Sequence, residues 1–350
     1  MGVQMKINYF LRNIFFILMF PLMLNFSYAR NNSGYHIIKT FHIGGGESWW
    51  DYIAVNSNLK RIYVSHGTQV NILNEINGDS IGVIPDTKGV HGITFAAPFN
   101  KGYTSNGRSN NLTVFNLNSN KVLRQINVGK NPDAIIYDSY DKKIFVCDGR
   151  SAEASVVDPA KDHVVATIAL NGKPEEAVAD NNGNVFVNIE SSNEIVKINM
   201  KNYKIEERWK IGKGESPSGL AIDAKNGILF SGCDNKLMIV LSAEDGKILA
   251  ELPIGEGCDG VVFDNKYMEA FSSNREGTLT EVHEDSPSEF HVVANVQTKK
   301  GARTSAIDEK THNIFLPTAD FEPAPKPTKD VPHPRSRAIP GTFEVLVVGK

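Results

Sequence analysis

The sequence predicts an all-β, seven-bladed propeller. Three observations predict it: a phrase recurring every 40 to 44 residues, four strand-like runs in each period, and two chain ends that complete one another. The 350 residues, 41% hydrophobic and 22% charged, exclude a disordered chain or a collagen-like fibre. Three Cys are too few for a disulfide-stapled scaffold. A formal net charge of −3 with no basic stripe argues against a dedicated nucleic-acid binder.

The first element in chain order stands outside the repeat. Lys6 and Arg12 form a positive n-region, Ile14 to Phe26 an almost wholly apolar h-region of 13 residues, and Ser27-Tyr28-Ala29 a small-x-small cleavage pattern. Residues 1–29 are therefore expected to be a cleaved signal peptide, since the apolar run is shorter than the ~20 residues a membrane-spanning helix needs. Residues 30–350 would then be one exported domain, periplasmic or extracellular, with no transmembrane segment after cleavage.

The repeated phrase is an apolar triplet (strand a), an Asp or a substitute, four or five turn residues, and a β-rich run (strand b). Examples are Ile53-Ala54-Val55-Asn56 before Arg61-Ile62-Tyr63-Val64, and Ile135-Ile136-Tyr137-Asp138 before Ile144-Phe145-Val146. The anchors fall at Asn56, Ala96, Asp138, Asp180, Asp223, Asp264 and Asp308. Strand c is a period-2 run such as Leu112-Thr113-Val114-Phe115, and strand d another such as Val164-Val165-Ala166-Thr167-Ile168. Asn-Gly, Asp-Gly and Gly-Lys punctuation between them reads as hairpin turns.

The ends are out of phase in a useful way. Residues 35–43 form a d-type phrase with no a, b or c before it, and residues 343–348 a c-type phrase with no d after it. A ring in which the N-terminal strand completes the last blade reconciles both and removes an exposed edge. Between strands b and c of that blade, residues 319–342 hold six of the sixteen prolines, which prevent ladder pairing and predict an inserted loop. A functional lid or docking segment is the alternative to that loop.

Val128-Gly129-Lys130-Asn131-Pro132-Asp133-Ala134 followed by Lys143-Ile144-Phe145-Val146 closely resembles the YVTN-type repeat, as do residues 172–175 and 214–220. The chain thus resembles the YncE-like seven-bladed propellers over nearly all of its mature length, including the Pro-rich insertion before the final strand. The resemblance implies export and the propeller fold. It implies no single chemistry, because relatives include ligand- and DNA-binding proteins, lactonases and cofactor-dependent redox enzymes.

In a propeller, the d-to-a and b-to-c connections ring the central channel on one face. Five residues before each anchor stand Asp51, His91, Asp133, Glu175, Ser218, Asp259 and Arg303. Ten after each stand His66, Asn106, Asp148, Glu190, Cys233, Asn274 and Thr318. These positions, with Arg108, Arg150 and Arg275 from adjoining loops, predict a polar, predominantly acidic central face that takes a small ligand or a protein partner. A water-filled channel would need the same polarity.

His66 and His91, in adjacent blades with Asp51 and Asp133 in register, are candidate ligands for a divalent metal, although no His-Glu-x-x-His motif supports them. A Cys-x-x-Cys-His motif is missing, which excludes a covalent c-type haem. Cys233 and Cys258 fall on the same face of neighbouring blades and permit a disulfide, with two buried thiols as the alternative. No Gly-x-Ser-x-Gly elbow is present. Lactonase-like relatives use His, Glu and Arg on this face, types that occur here as His91, Glu176 and Arg275 without a matching motif. Trp49-Trp50 could stack on a ligand or pack against a blade, and Lys299-Lys300 reads as a solvated turn. A monomer is expected, acting as a binding or scaffold protein, with a propeller hydrolase as the alternative.

Overall fold

The anchor residues explain how each period turns into a hairpin. Asn56 Oδ1 accepts the Leu59 N–H at 3.1 Å, and Asp138, Asp180, Asp223, Asp264 and Asp308 each accept a backbone N–H two residues on at 2.8–3.1 Å. These are Asx turns, which the short side chain closes without help from the rest of the fold. Ala96 cannot do this. There the turn is a 3₁₀ segment, Ala97–Phe99, with Pro98 inside it and Asn100 left-handed at its end.

In the computed structural model, residues 1–2, 34–45, 49–326, 328, 334 and 336–350 are described. Residues 32–350 form one compact unit. The expected signal peptide lies in a separate unit, residues 1–31, and falls outside the described residues apart from its first two. Among the described residues no helix is long and apolar enough to cross a membrane.

The compact unit is a ring of seven four-stranded antiparallel sheets. Six blades take their strands consecutively, from Ile53–Asn56 as the first strand a to Glu289–Gln297 as the sixth strand d. The seventh combines Ala306–Ile307, Ile314–Thr318 and Glu344–Gly349 with the N-terminal strand His36–His42. His36 pairs with Gly349 and His42 with Glu344, so the mismatched ends do close the ring.

The described buried apolar residues fall into seven clusters, and each cluster spans two neighbouring blades. The pleat explains this: alternate side chains of a central strand leave on opposite faces. Thus Ile62 and Val64 join the interface between blades 7 and 1, while Tyr63 between them joins that of blades 1 and 2. Every strand b places one fully buried aromatic at the same register: Tyr63, Tyr103, Phe145, Phe186, Phe230, Phe271 and Phe315. Burying each contributes about 1.5–3 kcal/mol. The three cysteines are free and buried in this packing, so the disulfide permitted for Cys233 and Cys258 is not formed. Burial pushes Cys233 up to about 12 and raises the Cys147 and Cys258 thiols well above their ordinary value, which disfavours the reactive thiolate.

The insertion folds back on itself where it lacks proline. Phe321 bridges Ala338, the Glu322 N–H donates to the Arg337 carbonyl and the Ile339 N–H to the Asp320 carbonyl, both at 2.8 Å. Phe321 then lies against Trp50, ring centroids 5.9 Å apart.

Two glycines separate strain from crowding. Gly246 has φ +70° and a Cβ there would stand 2.1 Å from the Trp209 ring of the preceding blade, whereas Gly227 has φ +66° and open space around it. Gly227→Ala should cost about 1 kcal/mol for its left-handed backbone. Gly246→Ala should cost at least about twice that. Equal losses in urea unfolding would refute the assigned interblade contact.

Candidate functional site: the channel ring and its neighbouring cavity

Strand a of each blade begins at the channel, and in blades 2 to 6 its pairing with strand b is irregular just there. The ladders slip between Val90 and Ile93, Pro132 and Ile135, Pro174 and Ala177, Pro217 and Leu220, and Cys258 and Gly260. Each slip brackets a position five before an anchor. Bulges of this kind re-aim side chains, and these turn a ring of polar groups toward one another.

From blade 5 through blades 6, 7, 1 and 2 to blade 3, ring groups contact one another across successive blades, while Glu175 of blade 4 is held within its own blade. His91 Nδ1 lies 2.6 Å from Asp51 Oδ2 and 3.4 Å from Asp133 Oδ1. Arg303 donates from Nη2 to Asp51 Oδ1 at 3.0 Å and from Nε to Asp259 Oδ2 at 2.5 Å. Ser218 Oγ donates to Asp259 Oδ1 at 2.7 Å. Lys173 pairs with Glu175 at 2.5 Å and also with Glu190. The backbone beneath is tied across blades as well: Ser105 Oγ donates to the Asp133 carbonyl, Ser273 Oγ to the Arg303 carbonyl at 2.8 Å, and Thr304 Oγ1 to the Asp51 carbonyl at 2.6 Å.

Burial dominates the ring's electrostatics. It alone would raise Asp51, but the His91 hydrogen bond and the Arg303 charge hold that carboxyl below its usual range. Burial opposes a charged His91, yet Asp133 and Asp51 outweigh it and lift the imidazole to about 9. Burial raises Asp133 to about 6 against the pull of His91. Glu175 rises to about 9 through burial and the Asp133 charge, which together exceed the attraction of Lys173. Glu176 is raised by burial and by Asp259. At neutral pH, Glu175 is therefore protonated while His91 and Arg303 act as internal cations.

The positions ten after each anchor behave differently. His66 Nδ1 meets Asn71 Oδ1 at 3.0 Å, Asn106 donates to Asn111 and Thr113, Asp148 accepts from Ser155 at 2.7 Å, and Asn274 donates to Thr278 and Thr280. Every one of these partners lies on strand c of the same blade, so these side chains knit blades internally. Of this set only Glu190 reaches the ring, through Lys173. Arg108 and Arg150 are exposed on their turns.

His66 packs on Phe343 and is not brought into a donor cluster with His91. Among the described residues, the group of at least three His, Cys, Asp or Glu donors within 4.8 Å of one another is Asp51, His91 and Asp133. A cation there would compete with the imidazolium already held between the two carboxylates.

Beside the ring lies a cavity of about 400 Å³, lined by Trp49, Trp50, Arg275, Lys300, Gly301, Arg303, Phe321, Ala324, Pro334 and Ser336. Trp49 stands edge-to-face with His91, centroids 5.0 Å apart. Trp50 is buried against Phe343 and Phe321. The tryptophan pair thus divides its work between lining a cavity and packing blade 1 against blade 7. Lys300, read from sequence as solvated, lies three residues before Arg303 in a d-to-a loop, so the register already held the signal. Phe321 carried none, being inside the aperiodic insertion. A second cavity of about 340 Å³ lies at the a–b turns of blades 6 and 7, where His312 is engaged by Asp264 at 2.9 Å.

A ring of this construction defines a seven-bladed β-propeller with a polar channel and a cavity at its rim. Among solved structures, the chain is similar to hydrazine synthase of Kuenenia stuttgartiensis, with 12% identity and a TM-score of 0.69 over 79% of this chain and 94% of that one. It is also similar to U3-55K, with 9% identity and a TM-score of 0.71 over 89% and 98% of the two chains. At these identities the likeness shows the fold alone. No family model and no curated protein matches the sequence.

The raised His91 and Glu175 make a prediction of definite sign. Groups whose folded pKa is raised stabilise at low pH and lose that contribution as pH climbs through the folded value. For His91 the window runs from its ordinary 6.5 to about 9. His91→Gln should flatten the fall of melting temperature across that window, with the Glu175 contribution remaining. An unchanged slope would show that His91 is not the buried cation.

Proposed function

We propose that this protein is an exported, non-catalytic YncE-like propeller that binds a small ligand at its central face, in the cavity between the insertion and blades 1, 6 and 7. One observation carries the reading. The charged ring groups are engaged with one another across the blades, apart from Glu175, which pairs with Lys173 of its own blade, while an aromatic-walled cavity of ligand size opens beside them. Catalysis needs a base free to act on a substrate, whereas binding needs only a complementary surface. The repeat phrases and the leader-like residues 1–29 support export and the YncE-like assignment.

A thermal-shift screen against lactones, sugars, quinone cofactors and metals tests the central claim. Small-molecule hits should lose at least about tenfold in affinity in Trp49→Ala and in Phe321→Ala, as expected for aromatic anchors. Hits indifferent to both substitutions would place binding elsewhere and defeat the proposal. Export predicts a mature protein beginning at Arg30, which N-terminal sequencing from the native host checks.

The Asp51–His91–Asp133 donor group favours a second reading, a metal-dependent hydrolase of the lactonase type. A metal-dependent lactone turnover abolished by His91→Ala would establish it in place of the first.

A further inference from the structure

The ligand cavity differs in charge from everything around it. The channel is rich in carboxylates, yet the described cavity lining contains three cations and no acid. Of the cations, Arg303 is held by Asp51 and Asp259. Arg275 stands 3.6 Å from Asp259 Oδ2, an oxygen already bonded to Arg303 at 2.5 Å. Lys300 is exposed and has no ion pair among the described residues. The wall therefore keeps positive charge that the protein does not neutralise.

A separate observation comes from the apolar side. Trp50 is 4% exposed, lines the cavity, and its Nε1–H has no acceptor among the described residues. Buried indole N–H groups ordinarily find a partner. Trp49 and Phe321 supply two further aromatic rings. A lysine without an ion pair and an indole N–H without an acceptor among the described residues, an arginine sharing its one carboxylate, and flat apolar walls together describe the complement of one kind of molecule.

We infer that the cavity takes a small aromatic anion, a molecule of one or two planar rings bearing a carboxylate or phosphate. Its ring lies among Trp49, Trp50 and Phe321, and its anionic group meets Arg275 and Lys300. This deepens the binding reading above and rests on it.

Isothermal titration of the mature chain with four probes tests the class: indole-3-acetate, phenyl phosphate, neutral indole, and acetate. The two aromatic anions should bind at least about tenfold more tightly than indole, with acetate far weaker than either. Arg275→Gln combined with Lys300→Gln should remove about tenfold from the aromatic anions and leave indole unchanged. Added salt should weaken only the charged probes. Both replaced residues are exposed, and an unaltered melting temperature without ligand verifies folding. Carboxylate against phosphate preference identifies the source of the charge. Indole binding as tightly as indole-3-acetate, or anion binding indifferent to the double variant, overturns the anionic class while leaving central-face binding intact. Silence from all four probes also overturns the class, whereas the binding reading itself stands or falls on the Trp49 and Phe321 variants.

Discussion

The structure depends on closure. No blade can bury both its faces alone, because each strand b sends alternate residues into two different interfaces. Seven interfaces therefore need seven blades and one meeting of the chain's ends. That meeting is made by His36–His42 on Glu344–Gly349, and behind it Phe41, Phe343 and Trp50 fill the junction of blades 7 and 1. Left open, the last blade would show an unpaired strand edge and the first an apolar face.

The channel ring follows from the same constraint. Closure brings seven equivalent positions to one axis, and whatever side chains stand there must neutralise each other in a buried space. Here Asp51, Asp133 and Asp259 are met by His91 and Arg303, while Glu175 stays protonated and burial raises Glu176. Except in blade 4, the contacts run between blades, so the ring's electrostatics also hold those blades in register. The cavity exists because the insertion of blade 7 folds over this ring on the side of blade 1.

Most of the architecture was legible because each repeat solves a local problem with local residues. An Asx anchor closes its own turn, and period-2 runs pair with their sequence neighbours. The same counting listed the channel-ring positions, and in five of the seven blades a bulge falls at that point of strand a. It did not show how the positions at the end of strand b are engaged. Polarity alone could not tell whether His66 or Asn106 faces the channel or turns back to strand c, and hydrogen bonding to Asn71 and Asn111 decides it. Register also set Cys233 and Cys258 on neighbouring blades correctly, with Cys258 Sγ close to where a Cβ on Gly232 would stand. Both thiols nevertheless point into packed core. The cavity was hidden for a different reason: Phe321 and Ala338 pair across an aperiodic proline-rich segment that no repeat describes.

The closing strand has an awkward place in time. Synthesis releases His36–His42 before every other strand of the ring, yet its partner Glu344–Gly349 is the last to appear. Pairings so distant in sequence form slowly, since the whole intervening loop must be ordered. The first strand made is thus the last one used, and the nascent chain must carry it unpaired while six blades assemble behind it. Ile37 and Ile38, still partly exposed in the finished ring, would lie wholly open during that wait.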